Sequence, residues 1–397
     1  PGQPATSTTI AGYPSDVAQV GADGTVAQTT RTGSGTAANP YQTTVTVLRP
    51  GQPTTSTAIS GYPFGGAQVG PDGTAVQIAA IGSGTAADPY RTAVAVLRPG
   101  QPATSTTITG AISQRAQVGA DGTVVQTTRT GSGTAADPYV TTVTVLRPGQ
   151  PATSTTMTGY PIGLAQAVAD GTVVQTTRAG SGTAADPYVT TVTMLRPGQP
   201  TTSTTITGVP NGGAQAVADG TVVQTTRAGS GTAADPYVTT LTVLRPGQPA
   251  TLTTITGLPW GDVQVVADGT VAQTTRTGSG TAADPYLTTV TVSRPGQPTT
   301  STTITGAPSE RAQVGADGTV VQTSSTGSGT AADPYQITVT VLRPGVALAS
   351  VIVSGGPYRV LFDAENNLTV ITRTGAGTAA NPYVYTSSQI SVALTDA

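Results

Sequence analysis

PGQPATSTTIAGYPSDVAQVGADGTVAQTTRTGSGTAANPYQTTVTVLR, residues 1–49, decides the fold, because the chain then writes it out six more times without an insertion or deletion. The copies begin at Pro1, Pro50, Pro99, Pro148, Pro197, Pro246 and Pro295, and a divergent eighth unit runs from Pro344 to Ala397. A fixed period of this kind marks an array whose units bury their apolar surface against one another. The expected domains are therefore 1–49, 50–98, 99–147, 148–196, 197–245, 246–294 and 295–343, followed by a C-terminal cap unit at 344–397. Pro1 falls on a repeat boundary, as expected of a region cut from a longer precursor or array.

Within a unit, Thr alternates with Val or Ile, the period-2 pattern of strands, and no segment has a helical period. Four strands are expected in the first copy, at 6–11, 17–20, 25–31 and 41–48. The last of these would turn Tyr41, Thr43, Val45 and Val47 inward and Gln42, Thr44 and Thr46 outward. Asp23-Gly24, repeated as Asp72-Gly73 and Asp121-Gly122, has the chemistry of a tight hairpin turn, because both residue types tolerate positive φ. A Gly-Ser-Gly loop at 33–40 ends in an Asx-Pro turn, and Arg49-Pro50-Gly51-Gln52-Pro53 makes a short, stiff joint. Only the segment near Tyr13–Asp16 differs much between copies.

One unit holds few large apolar side chains: Ile10, Tyr13, Val17, Val20, Val26, Tyr41, Val45, Val47 and Leu48. These are too few to order 49 residues alone, and there is no disulfide to help. The fold class expected is all-β: a tandem array of seven four-stranded units, sandwich-like, sharing core or strands between neighbours, with a divergent β cap.

Composition narrows the function. Net charge is −2, with 17 basic residues, every one of them Arg, and neither Cys nor His is present. That removes His/Cys zinc sites, Ser/His and Cys/His nucleophiles and lysine chemistry, and it leaves no basic field for nucleic acid. No apolar run is long enough to span a membrane. The expectations are no catalytic residue, no metal, no cofactor, and a chain that is not an enzyme. Paired carboxylates such as Asp72 and Asp88 could suggest calcium, but the turn reading is stronger, since Asn39 and Asn381 stand where other copies have Asp.

The recurring tyrosines Tyr41, Tyr90, Tyr139, Tyr188, Tyr237, Tyr286, Tyr335 and Tyr383 are read as the largest core residue of each unit, with a ladder for sugar stacking as the competing reading. Arg49 and its six equivalents are spaced to bridge neighbouring repeats through Asp, whereas Arg31 reads as a solvated strand end. Asn367 heads the single N-glycosylation tripeptide. Thr6, Ser7, Thr8, Thr54, Thr55, Ser56 and Thr57, close to prolines, suit O-glycosylation.

The segments TSTTITG (residues 104–110), DGTVVQTT (121–128) and TTVTVLRPG (141–149) resemble the Ser/Thr-rich tandem repeats of fungal flocculin- and agglutinin-type cell-wall adhesins, with bacterial surface-adhesin repeats nearly as close. The resemblance implies an extracellular, glycosylated stalk at a cell surface or cell wall. The function expected is a structural rod, stalk or filament, with strands of about 20 Å setting the step per unit. The alternative is an adhesin-type array of carbohydrate- or surface-binding modules. Expected partners are the neighbouring repeats, other copies of the chain and glycans, attached or bound.

Overall fold

The computed structural model describes residues 8–217, 219–315, 317–328, 330, 332–344, 349–362, 368–375 and 382–390. The chain forms two compact units, Pro1–Ile206 and Thr207–Ala397, each built from the same antiparallel block. Among the described residues every regular element is a strand, so the all-β reading of the Thr/Val alternation holds.

In the first block the strands are β1 (Tyr13–Pro14), β2 (Gln19–Val20), β3 (Val26–Thr32), β4 (Gln42–Leu48) and β5 (Thr55–Ser60). They lie in the order β1-β3-β4-β5, with β2 also beside β3. β1 and β2 are two short pieces of one interrupted strand: Tyr13 sits opposite Arg31 and Val20 opposite Val26. The strand expected at 17–20 is thus shorter, and the first piece ends at the same place whether proline or, in the third copy, Ile112 stands there. In the fourth copy the two pieces fuse into Tyr160–Ala167, with an irregularity between Ile162 and Gln166.

The strand that completes the sheet comes from the next sequence repeat. At the joint Gln52 donates its N–H to the Arg49 carbonyl at 3.1 Å, and Gly51 turns the chain with φ 70°. The Thr-rich segment therefore runs back along β4, with Val47 opposite Thr55, Val45 opposite Thr57 and Thr43 opposite Ile59. The same pairing recurs for Thr104–Thr109, Thr153–Thr158, Thr251–Thr256, Thr300–Thr305 and Ala349–Ser354. The first copy's own Thr-rich segment forms no strand over residues 8–11, and Thr6 and Ser7 lie outside the described residues. The sequence repeat and the folded sheet are thus offset by one strand.

Among the described residues, neighbouring sheets share their cores. Ala27, Val45 and Val47 pack against Ala75, Ala93, Ala95 and Leu97 of the following repeat. Val76, Ile78, Val94 and Val96 pack in turn on Val124 and Leu146, and Val125, Val143 and Val145 on Val173 and Leu195. In the second unit Val223, Leu241 and Val243 meet Val271, and Ala272, Val290 and Val292 meet Val320. The second, third, sixth and seventh sheets therefore bury both faces: in the second, Ala75 and Ala79 face the first repeat, and Val76 and Ile78 face the third. In the first block the completing strand corrects the outward assignment of Thr46: it is 3% exposed and hydrogen-bonds Ser56 at 3.0 Å. Within each unit, face-to-face packing of neighbouring sheets also sets the step per repeat, about 10 Å in place of a strand length.

The last unit keeps this scheme and alters its outer face. Ala349–Ser354 completes the sheet of the seventh repeat, and Gly356–Phe362, Leu368–Thr374 and Val384–Ile390 form a three-stranded sheet. Val370 fills the cluster with Val321, Ile337, Val339 and Val341. On the opposite face, exposed Ser387 and Gln389 stand where Val45 and Val47 stand in the first block.

Candidate functional site

The residues that recur with the period meet where one repeat touches the next. At the Asp-Gly turn, Asp23 accepts the Thr25 N–H at 2.9 Å on Oδ1 and the Thr25 hydroxyl at 2.7 Å on Oδ2. These bonds, the hydroxyl first, hold its carboxyl below the usual carboxylate range. Asp72 and Asp121 make the same pair of bonds to Thr74 and Thr123. Gly24, Gly73 and Gly122 all have positive φ, and the turns of successive repeats lie against one another. A Cβ on Gly73 would fall 2.3 Å from Asp23 Oδ2, and one on Gly122 2.4 Å from Asp72 Oδ2. Glycine is thus required both by the turn and by its neighbour.

Beside these turns the joint arginines run inward. Arg49 donates to the carbonyls of Gly73 and Leu97, Arg98 to those of Gly122 and Leu146, and Arg294 to those of Gly318 and Leu342. They do bridge repeats, but through backbone carbonyls. Asp23 and Asp72 act on Arg49 only as nearby charges. Burial pulls the guanidinium pKa down, and the two carboxylates oppose that.

A buried polar ladder that the sequence reading missed runs through the stack. Gln77, Gln126, Gln175, Gln273 and Gln322 are each at most 1% exposed. Gln77 donates to the Ile78 and Gly65 carbonyls, and its Oε1 accepts the hydroxyl of Thr29 in the preceding repeat. Thr127 serves Gln175 in the same way, Thr225 serves Gln273, and Thr274 serves Gln322. The second repeat has Ile78 in place of that threonine, and Gln126 Oε1 is left without a partner. The available signal was a glutamine at the same position of all seven copies amid Val, Ala and Thr.

The tyrosines are not core residues. Tyr90, Tyr335 and Tyr383 are exposed, and Tyr41, Tyr139, Tyr188, Tyr237 and Tyr286 are half-buried. Each follows a proline and lies outside the paired strand, and in the first six copies the ring packs on a glycine of the Gly-Ser-Gly loop. A Cβ on Gly35 would lie 2.3 Å from Tyr41 Cε2, and one on Gly133 equally close to Tyr139. The guanidinium of Arg31, read as a solvated strand end, is held 5.0 Å from the Tyr41 ring centroid and 4.8 Å from that of Tyr62. The loop carboxylates are used locally: Asp137 Oδ2 accepts the Ser132 N–H at 2.8 Å, and in the first copy Asn39 donates to Ser34 Oγ at 3.3 Å.

Of the expected glycosylation positions, Thr8, Thr54, Thr55 and Ser56 are exposed on or beside the completing strand, and Thr57 is half-buried. Asn367 lies outside the described residues.

No family model matches the chain, and no curated protein does. Similar solved structures are Pyrococcus horikoshii acylaminoacyl peptidase (10% identity, 84% of this chain and 58% of that one, TM-score 0.33) and a prolyl endopeptidase (14%, 94% and 54%, 0.32). A third is the AtxE2 isopeptidase, at 11% identity, covering 83% of this chain and 56% of that one, with a TM-score of 0.22. All three are peptidases, so the expectation that the chain is not an enzyme is withdrawn. At these scores the likeness assigns no activity to this chain, which spans 54–58% of the length of the first two. What the fold and the joints define is a class: an all-β tandem-repeat protein with strands exchanged between successive repeats.

Proposed function

We propose that the chain is an extracellular structural repeat protein, a segment of a stalk or filament at a cell surface or in a matrix. The observation that carries this reading is the completion of each sheet by a strand from across the Arg-Pro-Gly-Gln-Pro joint. A binding module on a string closes its own core and tolerates a free linker. Here cutting a joint removes both a strand and an apolar face, so successive repeats are held in one fixed geometry. Edge strands rich in Thr, such as Thr55–Ser60 and Thr104–Thr109 with one buried Ile each, suit a hydrated outer surface, and the first of them carries positions proposed for O-linked sugar.

The test is to lengthen the array. Chains with four, eight and twelve repeats, examined by electron microscopy and small-angle scattering, are expected to lengthen by about 10 Å per added repeat. Particles whose longest dimension does not grow with repeat number would refute the reading. Native material is expected in the surface or secreted fraction, with an intact mass above that of the polypeptide.

A further inference from the structure

Outside the joint, each unit in which Arg occupies the position of Arg31 carries a guanidinium that the packing of the sheets does not use. Arg129, Arg178, Arg227, Arg276 and Arg373, like Arg31, sit 4.4–5.0 Å from the ring centroid of the tyrosine ten residues later. A second ring approaches three of them: Tyr62 beside Arg31, Tyr160 beside Arg129 and Trp260 beside Arg276, at 4.6–4.8 Å. Among the described residues none of these guanidinium groups is ion-paired; the surface pair present is Arg91–Asp88 at 3.7 Å. The nearby loop carboxylate is turned away to the backbone, as Asp284 Oδ2 is to the Ser279 N–H at 2.7 Å.

Two of these arginines, Arg276 and Arg373, open onto grooves between consecutive repeats. One of about 460 Å³ runs between Tyr237 of one repeat and Arg276 of the next, with Leu258 and Asp284 on its walls. Another of about 300 Å³ lies between Tyr335 and Arg373. A guanidinium whose plane is fixed against a ring keeps its N–H fork aligned for a carboxylate or sulfate at little entropic cost.

We infer that this edge binds an acidic polysaccharide, with the stacked arginines taking its carboxylate or sulfate groups one repeat at a time. The inference is independent of the structural reading and would hold for a stalk or for a free module. Two features select the ligand. The tyrosine ring already lies against a loop glycine and a guanidinium, so it is a poor platform for a neutral sugar face or a nucleic-acid base. Within each unit the sites of consecutive repeats, Arg129 and Arg178 or Arg227 and Arg276, also recur at the roughly 10 Å spacing of stacked sheets, which favours a chain-like ligand carrying charge at intervals.

Calorimetry and affinity electrophoresis on the full chain at low ionic strength, with polygalacturonate, dextran sulfate, neutral dextran and poly(dT), test the inference. Polygalacturonate, dextran sulfate or both are expected to bind, and whichever binds names the charged group; dextran is expected not to bind. Replacing four arginines together (Arg129→Gln, Arg178→Gln, Arg227→Gln, Arg276→Gln) should weaken binding at least about tenfold with circular dichroism unchanged. Lysine at the same four positions should lose less, and added salt should weaken the wild-type complex. Those last two measurements decide the matter if the glutamine variant fails to fold. Binding of dextran as tight as that of the polyanions, tighter binding of poly(dT), unaltered affinity in the glutamine variant, salt-independent affinity, or no binding at all would overturn the proposal.

Discussion

Arg49 reaches out of one repeat and donates to the carbonyl oxygens of Gly73 and Leu97 in the next, at 3.1 and 2.8 Å, while itself only 9% exposed. Two carbonyls in separate segments of the neighbour are thereby tied to the residue that begins the joint. Arg49→Lys keeps the charge and loses the fork. It is expected to lower stability by about 1–3 kcal/mol in urea titrations, through partners left unsatisfied in a buried place. A change below the error of the titration would show that the carbonyls are served by water.

The glutamine ladder makes a paired prediction. Thr127→Val leaves Gln175 Oε1 without its donor and should cost about 1–3 kcal/mol. Ile78→Thr gives Gln126 Oε1 the donor it lacks. The gain offsets lost apolar area, and the variant should stay within about 1 kcal/mol of wild type. Chemical denaturation of both variants checks the sign of the difference.

Acid should loosen the first Asp-Gly turn. The Asp23 carboxyl is held below its ordinary range by the Thr25 hydroxyl and N–H. A depressed carboxyl contributes stability that is present above the unfolded value, about 3.9, and lost as pH falls through the lower folded value. Melting temperature is therefore expected to be flat from neutrality to about pH 4 and to fall below it, and Asp23→Ala should show a smaller acid-induced fall.

The Gly-Ser-Gly loop is wedged by tyrosine. Gly133→Ala would require positive φ of an alanine and place its Cβ 2.3 Å from Tyr139 Cε2. The expected loss is at least about 1–2 kcal/mol. An unchanged melting curve would mean that the loop can re-form around the ring.

Much of this fold was legible because its determinants are local. Alternating Thr and Val fix strand type, and Asp23-Gly24 fixes the hairpin. The exact repetition forces neighbours to share a core. The destination of the Thr-rich strand was not legible, because Thr55 and Ile59 pair with either neighbour equally well on sequence pattern alone. The tyrosines misled for a related reason. Size and recurrence suggested a core, but Pro40 places Tyr41 outside the ladder, where a glycine and a guanidinium receive it. Gln77 escaped notice because a buried amide has meaning only once Thr29 is known to face it from the preceding repeat.

Completion of a sheet across the joint is tested by comparing residues 50–147 with residues 50–159. The longer fragment adds only the joint and Thr153–Thr158, the strand paired with Val140–Leu146. The longer fragment is expected to melt about 4 °C or more higher, and a peptide of residues 148–159 added to the shorter one is expected to recover most of the difference. Equal melting temperatures, with no effect of the peptide, would contradict completion across the joint.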